Sequence, residues 1–383
     1  MTCPASPAPL STPSTALFGT PRAVACERAV AELRAGRPVR LHDAHGKQLV
    51  VLSLDSASPA AYTAFAALAG GDQQLLVTAE RAGVLGDRRG QPLLLPLAGL
   101  AFAELPALAW LRPAQPPALL ASAQPASGEL VAAAIELAWL ALLLPALVVL
   151  PLGEDADAAW QACAALACAD LAQAPDPAAY EIVSRTRVPL RDAGWSEFVV
   201  FRGGIAQRDQ VAVVVGQPDL AGVVPVRVHS SCLTGDLFGS LKCDCGDQLR
   251  RGLAALQAMG GGVLLYLDQE GRGTGIAAKM RAYGYQHEGL DTIDADAQLG
   301  FGADGRRYHA AVAMLRGLGI GRIELLSNNP AKARRLAEGG IEVVARTPVT
   351  GQVTDENEQY LRTKAARAGH HLDVDALIAA AQR

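Results

Sequence analysis

The sequence predicts an α/β fold of mixed α+β character, arranged as two domains. Three observations carry this. Half of the 383 residues are hydrophobic and 19% are charged, which is enough apolar side chain for packed cores. Strand-like runs bounded by Gly, Pro or Asp alternate with helical stretches along the chain. The character also changes near Tyr180, after a plain Ala- and Leu-rich region. "APDP", Ala174 to Pro177, is the expected boundary. This gives a leader over 1–21 and domains over 22–177 and 178–383.

The leader is rich in Pro, Ser and Thr and reads as flexible, without the basic start and apolar run of a secretory signal. "ACERAVAELRAGRPVRLHD" opens as an amphipathic helix that Gly36 and Pro38 end, and a short strand follows. "QQLLVTAERAGVLG" reads as strand, then helix with a glycine stop, and residues 92–126 read as a Pro-rich loop region. "ELVAAAIELAWLALLLPALVVLPL", residues 129–152, approaches a bilayer span in length, but Glu129 and Glu136 interrupt it and Pro145 breaks it. A buried helix from Glu129 to about Leu144 and then a buried strand are expected. "DADAAWQACAALACADLAQAPDPAAYEIV" reads as a helix with a Pro-containing exit.

Beyond Tyr180, "FVVFRGG", "VAVVVGQ" and "VPVRVHS" are strand-like. "GDQLRRGLAALQAMGGG" is a helix stopped by Gly260–Gly262, and "GVLLYLDQEGRGTG" is a buried strand running into a Gly-rich loop. "YHAAVAMLRGLGI" and "NPAKARRLAEGGI" are helices, while "RIELLSN" and "EVVARTPV" are strands.

Net charge is −4 and the pI is near 6.0, so no nucleic-acid or membrane partner is expected. Seven cysteines make no disulfide scaffold in a chain this long and fit a reducing, cytoplasmic setting. Cys3, Cys26, Cys163 and Cys168 have no metal-like surroundings and read as incidental thiols. Cys232, Cys243 and Cys245 lie within the twenty residues "HSSCLTGDLFGSLKCDCGDQ". Three thiolates with an open fourth position form a catalytic zinc arrangement, whereas His229 as fourth ligand would form a closed, structural one. The spacing leaves both open, and with them the reading of these three as incidental thiols. "DQEGRGTG", residues 268–275, fits a phosphate or nucleotide cradle, with Glu270 able to pair with a guanine edge. "SNNPAKARR" places Asn328, Asn329 and Lys332 near a helix N-terminus suited to an anion.

Taken together, "VRVHSSCLTGDLFGSLKCDCG", "LLYLDQEGRGTG", "KMRAYGYQHEGLDTIDADAQLGF", "ADGRRY", "LLSNNPAKARRL" and "NEQYLRTKAARAGHHL" closely resemble GTP cyclohydrolase II over about residues 178–375. The resemblance implies zinc on Cys232, Cys243 and Cys245. It implies Arg306 as nucleophile at the α-phosphate, Asp304 as proton acceptor and Tyr283 in ring opening. It implies nucleotide contacts at Arg227, Val228, His229, Ser230, Ser231, Gln248, Glu270, Gly271, Arg272, Thr292, Ser327 and Lys332, with Mg²⁺ on the triphosphate. The implied reaction opens the imidazole ring of GTP, releasing formate and pyrophosphate, in riboflavin biosynthesis. A paralogue acting on another purine nucleotide or stopping partway, or a non-catalytic nucleotide-binding regulator, is the alternative. A zinc nucleobase deaminase lacks its Pro-Cys-x-x-Cys and His-x-Glu here.

Four positions depart from the family pattern: Ser231 for Glu, Asp268 for Arg, Ser327 for Thr and Asp296 for Asn. The N-terminal region is similar to a shortened 3,4-dihydroxy-2-butanone 4-phosphate synthase. However, "HDAHGKQLVVLS" replaces the acidic stretch that binds Mg²⁺, leaving only Asp43 with His42 and His45. The synthase activity is not expected, His42 and His45 read as an exposed turn, and a homodimer is expected by analogy with such synthases.

Overall fold

A computed structural model describes residues 17, 19–153, 157–173, 180–205, 208–302, 305–367 and 372–381. The expected boundary at 174–177, most of the leader and Asp304 lie outside the described residues. Two seven-stranded sheets organise the chain, so the mixed α/β class holds.

The first sheet contains β1 (Val39–His42), β2 (Gln48–Ser53), β3 (Gln74–Val77), β4 (Leu93–Pro96), β5 (Gln124–Pro125), β6 (Ala146–Leu152) and β7 (Ala164–Ala167). Their order is β5-β4-β3-β6-β2-β1-β7, and only the β1–β7 pair is parallel. Helices α1 (Pro21–Arg34), α2 (Pro59–Leu68), α3 (Ala79–Val84), α4 (Leu105–Ala109), α5 (Glu129–Leu140) and α6 (Cys168–Ala172) surround it. Strand alternation splits its core into two layers. Val51, Leu76, Leu147 and Val149 face one layer, while Val50, Leu52, Leu75, Val77 and Val148 face the other.

Three local expectations need correction. Helix α5 ends at Leu140, not near Leu144. Leu142 adopts a left-handed φ of 56°, while Leu143 N donates to Ala138 O and Leu142 N to Trp139 O. This is a Schellman cap with leucine where glycine is usual, which costs about 1–2 kcal/mol. The stretch read as one helix from Asp155 contains strand β7, because Ala164 to Ala167 pair with Val39 to His42. The 92–126 region holds β4, which pairs with β3, and helix α4. Tertiary pairing overrides local propensity at both places. His45 lies in the exposed β1–β2 turn, where Asp43 Oδ1 accepts from the backbone N–H of His45 and Lys47, each at 2.9 Å.

The second sheet contains β8 (Tyr180–Leu190), β9 (Gly194–Gly203), β10 (Arg208–Gly216), β11 (Val224–Ser230), β12 (Gly261–Leu267), β13 (Arg322–Leu326) and β14 (Glu342–Thr347). Its order is β14-β13-β11-β12-β10-β9-β8. Strands β8, β9 and β10 form an antiparallel meander, while β12, β11, β13 and β14 run parallel. Helices α7 (Cys245–Ala258), α8 (Ile276–His287), α9 (Thr292–Gln298), α10 (His309–Gly317), α11 (Pro330–Glu338), α12 (Glu358–Arg367) and α13 (Val374–Ala381) complete this half. The carboxyl ends of β11, β12 and β13 converge on one cleft, the usual place for a ligand in a parallel sheet.

Candidate active site

The cleft is lined by side chains that the sequence scatters over more than one hundred residues. β11 delivers the first set by alternation. Val226 and Val228 point into the core, while Arg227 and His229 reach the cleft. Val228 is thus no side-chain contact; its carbonyl accepts from Lys332 Nζ at 2.8 Å.

Cys232 follows β11, and Cys243 and Cys245 flank Asp244 at the start of α7. The three sulfurs lie within 4.8 Å of one another, with Cys232 and Cys243 at 3.7 Å. Tetrahedral zinc, with Zn–S near 2.3 Å, spaces its sulfurs about 3.8 Å apart, so the donor set and its spacing fit that ion. A Cβ on Gly235 would sit 3.0 Å from Cys243 Sγ, and one on Gly246 would sit 2.2 Å from the Gly235 carbonyl oxygen. The cradle therefore needs glycine at both positions. Hydrogen bonds from Cys243 and Cys245, then the Lys279 ammonium, draw the Cys232 thiol far below its ordinary range.

His229 is not part of this cluster. Its Nε2 lies 3.1 Å from both carboxylate oxygens of Asp236, and its ring stacks on Tyr266. Asp236 Oδ2 also accepts from Cys232 N at 2.9 Å and Tyr266 Oη at 2.9 Å. Burial lowers the His229 pKa against the pull of Asp236. Sequence reading assigned Asp236 no role, because nothing local marks it.

Lys279 was also missed. Its Nζ donates to Glu270 Oε1 at 2.8 Å, Thr234 Oγ1 at 2.9 Å and Cys232 Sγ at 3.0 Å. Burial alone would depress this ammonium, but its hydrogen bonds to Glu270 and Cys232 raise it overall. Glu270 accepts further from Gly271 N and Leu233 N. Gly271 and Arg272 both have left-handed φ, 60° and 62°. Asp296 holds Arg272 Nη1 at 3.1 Å, so this departure from the family pattern has an ion-pair partner here.

Arg227 donates to Leu326 O and Gln248 Oε1, and burial lowers its pKa to about 10. Its Nε, together with Ser230 Oγ and Ser231 Oγ, is buried with no protein partner. Such atoms bordering a cleft are places for ligand hydrogen bonds. Ser327 Oγ accepts from Asn329 N at 3.1 Å. Tyr283, Thr292, Ser327, Lys332 and Arg306 all line the cleft. Tyr283 has its hydroxyl pKa raised, chiefly by burial.

Helix α12 brings Tyr360, Thr363 and Lys364 to the same cleft. Lys364 Nζ binds Asp244 Oδ1 at 2.8 Å, behind the thiols. Nothing local to either residue signals this contact, which joins residues 120 apart.

A family profile described as GTP cyclohydrolase II matches residues 181–348. The GTP cyclohydrolase-2 of Xylella fastidiosa (strain 9a5c) is 60% identical over 371 residues, covering 96% of this chain and 92% of that protein. The chain belongs to the GTP cyclohydrolase II family. The GTP cyclohydrolase-2 of Azospirillum brasilense is 42% identical over 90% of this chain and 93% of its own length. The crystal structure of RibBX, a two domain 3,4-dihydroxy-2-butanone 4-phosphate synthase from A. baumannii, aligns with a TM-score of 0.31 at 19% identity, covering 85% of this chain and 99% of that one.

Of the four departures from the GTP cyclohydrolase II pattern, Ser231, Ser327 and Asp296 line the cleft. Asp268 does not. It borders a second cavity, shared with Trp139, Tyr180, Arg307 and His309. Its side chain therefore borders a different cavity from the one that holds the thiols.

Proposed function

We propose that this protein hydrolyses GTP to 2,5-diamino-6-(5-phosphoribosylamino)pyrimidin-4-one, formate and pyrophosphate, the first step of riboflavin biosynthesis. One observation carries the reading beyond family membership. The three-thiol cluster opens into the same cleft as Lys332, Arg306 and the partnerless hydroxyls of Ser230 and Ser231. A candidate metal centre and cationic side chains suited to phosphates share one cavity, which supports a ring-opening reaction on a nucleoside triphosphate.

Cys232, Cys243 and Cys245 would hold zinc, which supplies Lewis acidity for the attack of water on a ring carbon. An ionised carboxylate takes about four donors, so Glu270, held by three, keeps capacity for a guanine N–H. Lys279 holds Glu270 in place through its 2.8 Å hydrogen bond. Lys332 and Arg227 face the phosphates with Arg272. Arg306 attacks the α-phosphorus; the P–N bond forms as the α–β P–O bond breaks, and pyrophosphate leaves with its Mg²⁺. After ring opening a water molecule cleaves the P–N bond, which frees the 5-phosphate of the product and returns the Arg306 guanidinium. Asp304 takes the guanidinium proton in this scheme, the role that the resemblance to GTP cyclohydrolase II implies for it. Tyr283, protonated across the working pH range, donates or positions a proton at the opening ring.

Residues 22–177 and 178–383 are treated as two domains, supported by the absence of strand pairing between the two sheets among the described residues. A cytoplasmic setting suits the reduced thiols, and no helix among the described residues is long and apolar enough to cross a membrane. A homodimer is proposed, supported by exposed Leu237, Phe238 and Leu241 beside the thiol site.

The test is to incubate zinc-loaded protein with GTP and Mg²⁺ and follow formate, pyrophosphate and the pyrimidine separately. Joint appearance of all three, lost in Cys243→Ser, is expected. Pyrophosphate without formate would sink the ring-opening assignment. Turnover of another purine triphosphate in preference to GTP would favour the paralogue reading, for which Ser231 is the remaining motive.

A further inference from the structure

The N-terminal half grips the C-terminal half along a seam centred on Arg81. This arginine is 1% exposed, and its hydrogen bonds go to carbonyls rather than to a carboxylate. Nε donates to Leu108 O at 2.8 Å, and Nη2 to Ala107 O at 2.9 Å and Leu111 O at 2.8 Å. Nη1 crosses to Gln298 O at 3.0 Å. The carbonyls of Ala107 and Leu108 belong to the last turn of α4, and that of Gln298 to the last residue of α9. One guanidinium thus satisfies orphan carbonyls of two helices, one from each half of the chain.

The grip continues along the next residues. Thr78 Oγ1 donates to Gly300 O at 2.8 Å. A Cβ on Gly300, whose φ is 83°, would meet Pro145 at 3.2 Å and Thr78 Oγ1 at 3.3 Å. Phe301 packs with Leu144, which the early end of α5 delivers between Ala278, Ala282, Ala295 and Leu299. Glu136 binds Arg307 at 2.6 Å. The neighbouring side chains diverge: Arg307 borders the second cavity, while Arg306 lines the cleft. The chain between Gln298 and Arg307, of which 303 and 304 lie outside the described residues, contains Gly300, Gly302 and Gly305. So glycine-rich a stretch has much backbone freedom to lose, and the N-terminal half fastens it on both sides of Arg306.

We propose that Thr78, Arg81 and Glu136 are positioning residues for the GTP reaction, and that the N-terminal half works as a clamp fixing Arg306 against the α-phosphate. This deepens the functional reading above and rests on it. The thiol cluster is held from within the C-terminal half, by the turn after Cys232, by α7 and by Asp236 and Lys279. Loosening the clamp should therefore leave metal binding untouched while it slows chemistry. A displacement of about 1 Å at a reacting group costs on the order of 100-fold in rate.

The experiment uses the full-length zinc-loaded protein with Thr78→Val and Glu136→Gln, singly and together, beside Thr78→Ser and Arg306→Ala. Zinc content, melting temperature, and kcat and KM for pyrophosphate release are measured for each. The double variant should lose about 10- to 100-fold in kcat, with KM and zinc content within about twofold of the parent. Thr78→Ser, which keeps the hydroxyl, should recover most of the loss due to Thr78→Val. Glu136→Gln alters a half-exposed pair and reports even if the double variant folds poorly. Normal kcat in the folded Glu136→Gln and Thr78→Val proteins, with Arg306→Ala inactive, overturns the clamp and leaves the Arg306 assignment standing. Normal turnover by Arg306→Ala defeats the Arg306 assignment, and the clamp with it.

Discussion

The two halves of this protein both bury cysteines, with opposite results. Cys26 and Cys168 sit in the N-terminal core among Ala29, Leu33, Leu166 and Leu171. Burial pushes both thiols up to about 11. Cys232 and Cys243 are almost as buried, at 4% and 7% exposure, yet Cys232 is drawn strongly down, while Cys243 and Cys245 are pushed up by their hydrogen bonds to it. What differs is the company: aliphatic side chains in one half, and two further thiols with an ammonium in the other. Burial therefore does not make a cysteine inert; the donors within about 4 Å decide whether it is core filling or a metal ligand. The sheets differ in the same sense. The N-terminal sheet, almost wholly antiparallel, ends in loops and a polar hairpin. The parallel strands of the C-terminal sheet point one end of each strand at one cleft.

This contrast breaks most severely at Cys243. Cys243→Ser should abolish zinc retention and formate release together, as read by metal analysis and product assay, whereas Cys168→Ala should keep both. Full zinc occupancy in Cys243→Ser would erase the distinction between the two sets of thiols. The next largest effect belongs to Lys279, whose ammonium donates directly to Cys232 Sγ. Lys279→Met should weaken zinc retention or turnover about 10- to 100-fold, the usual cost of losing a hydrogen bond to a metal ligand. A chelator-competition assay and kcat/KM would reveal it.

Alkali probes the N-terminal thiols instead. Cys26 and Cys168 stay neutral in the folded chain to about pH 11 but ionise near 9.0 once unfolded. Their contribution is complete below the unfolded value and drains away as pH climbs through 9 to 11. Each thiol then costs about 2–3 kcal/mol of stability. Denaturant midpoints across that range should fall, and fall less steeply in Cys26→Ala. The smallest effect is expected at Asp268, which borders the second cavity. Asp268→Arg should leave KM for GTP within about twofold, because the side chain borders a different cavity from the one that holds the thiols. A larger change would return Asp268 to the nucleotide site.

Much of this was legible in the residues. Glycine and proline stops placed α1, α3 and the turn after β12, and the Cys-x10-Cys-x-Cys run marked the metal cluster. The rest failed for physical reasons. β7 lay hidden in an alanine-rich stretch of helical propensity, because its partner β1 is more than one hundred residues away. The fourth-ligand question at His229 turned on Asp236, whose side chain bridges groups as distant in sequence as Tyr266. Val228 was carried along with its neighbours, although a strand must turn every second side chain away.

By itself the sequence determined the fold class, the family, the thiol cluster and the order of the stretches that line the cleft, because these reside in local periodicity and contiguous motifs. Only the tertiary structure decided that His229 belongs to Asp236, that Lys279 joins Glu270 to Cys232, and that Arg81 ties α4 to α9. Those links are hydrogen bonds between groups up to 217 residues apart. They exist because burial removes water and leaves each donor to find whichever acceptor the fold has brought within reach.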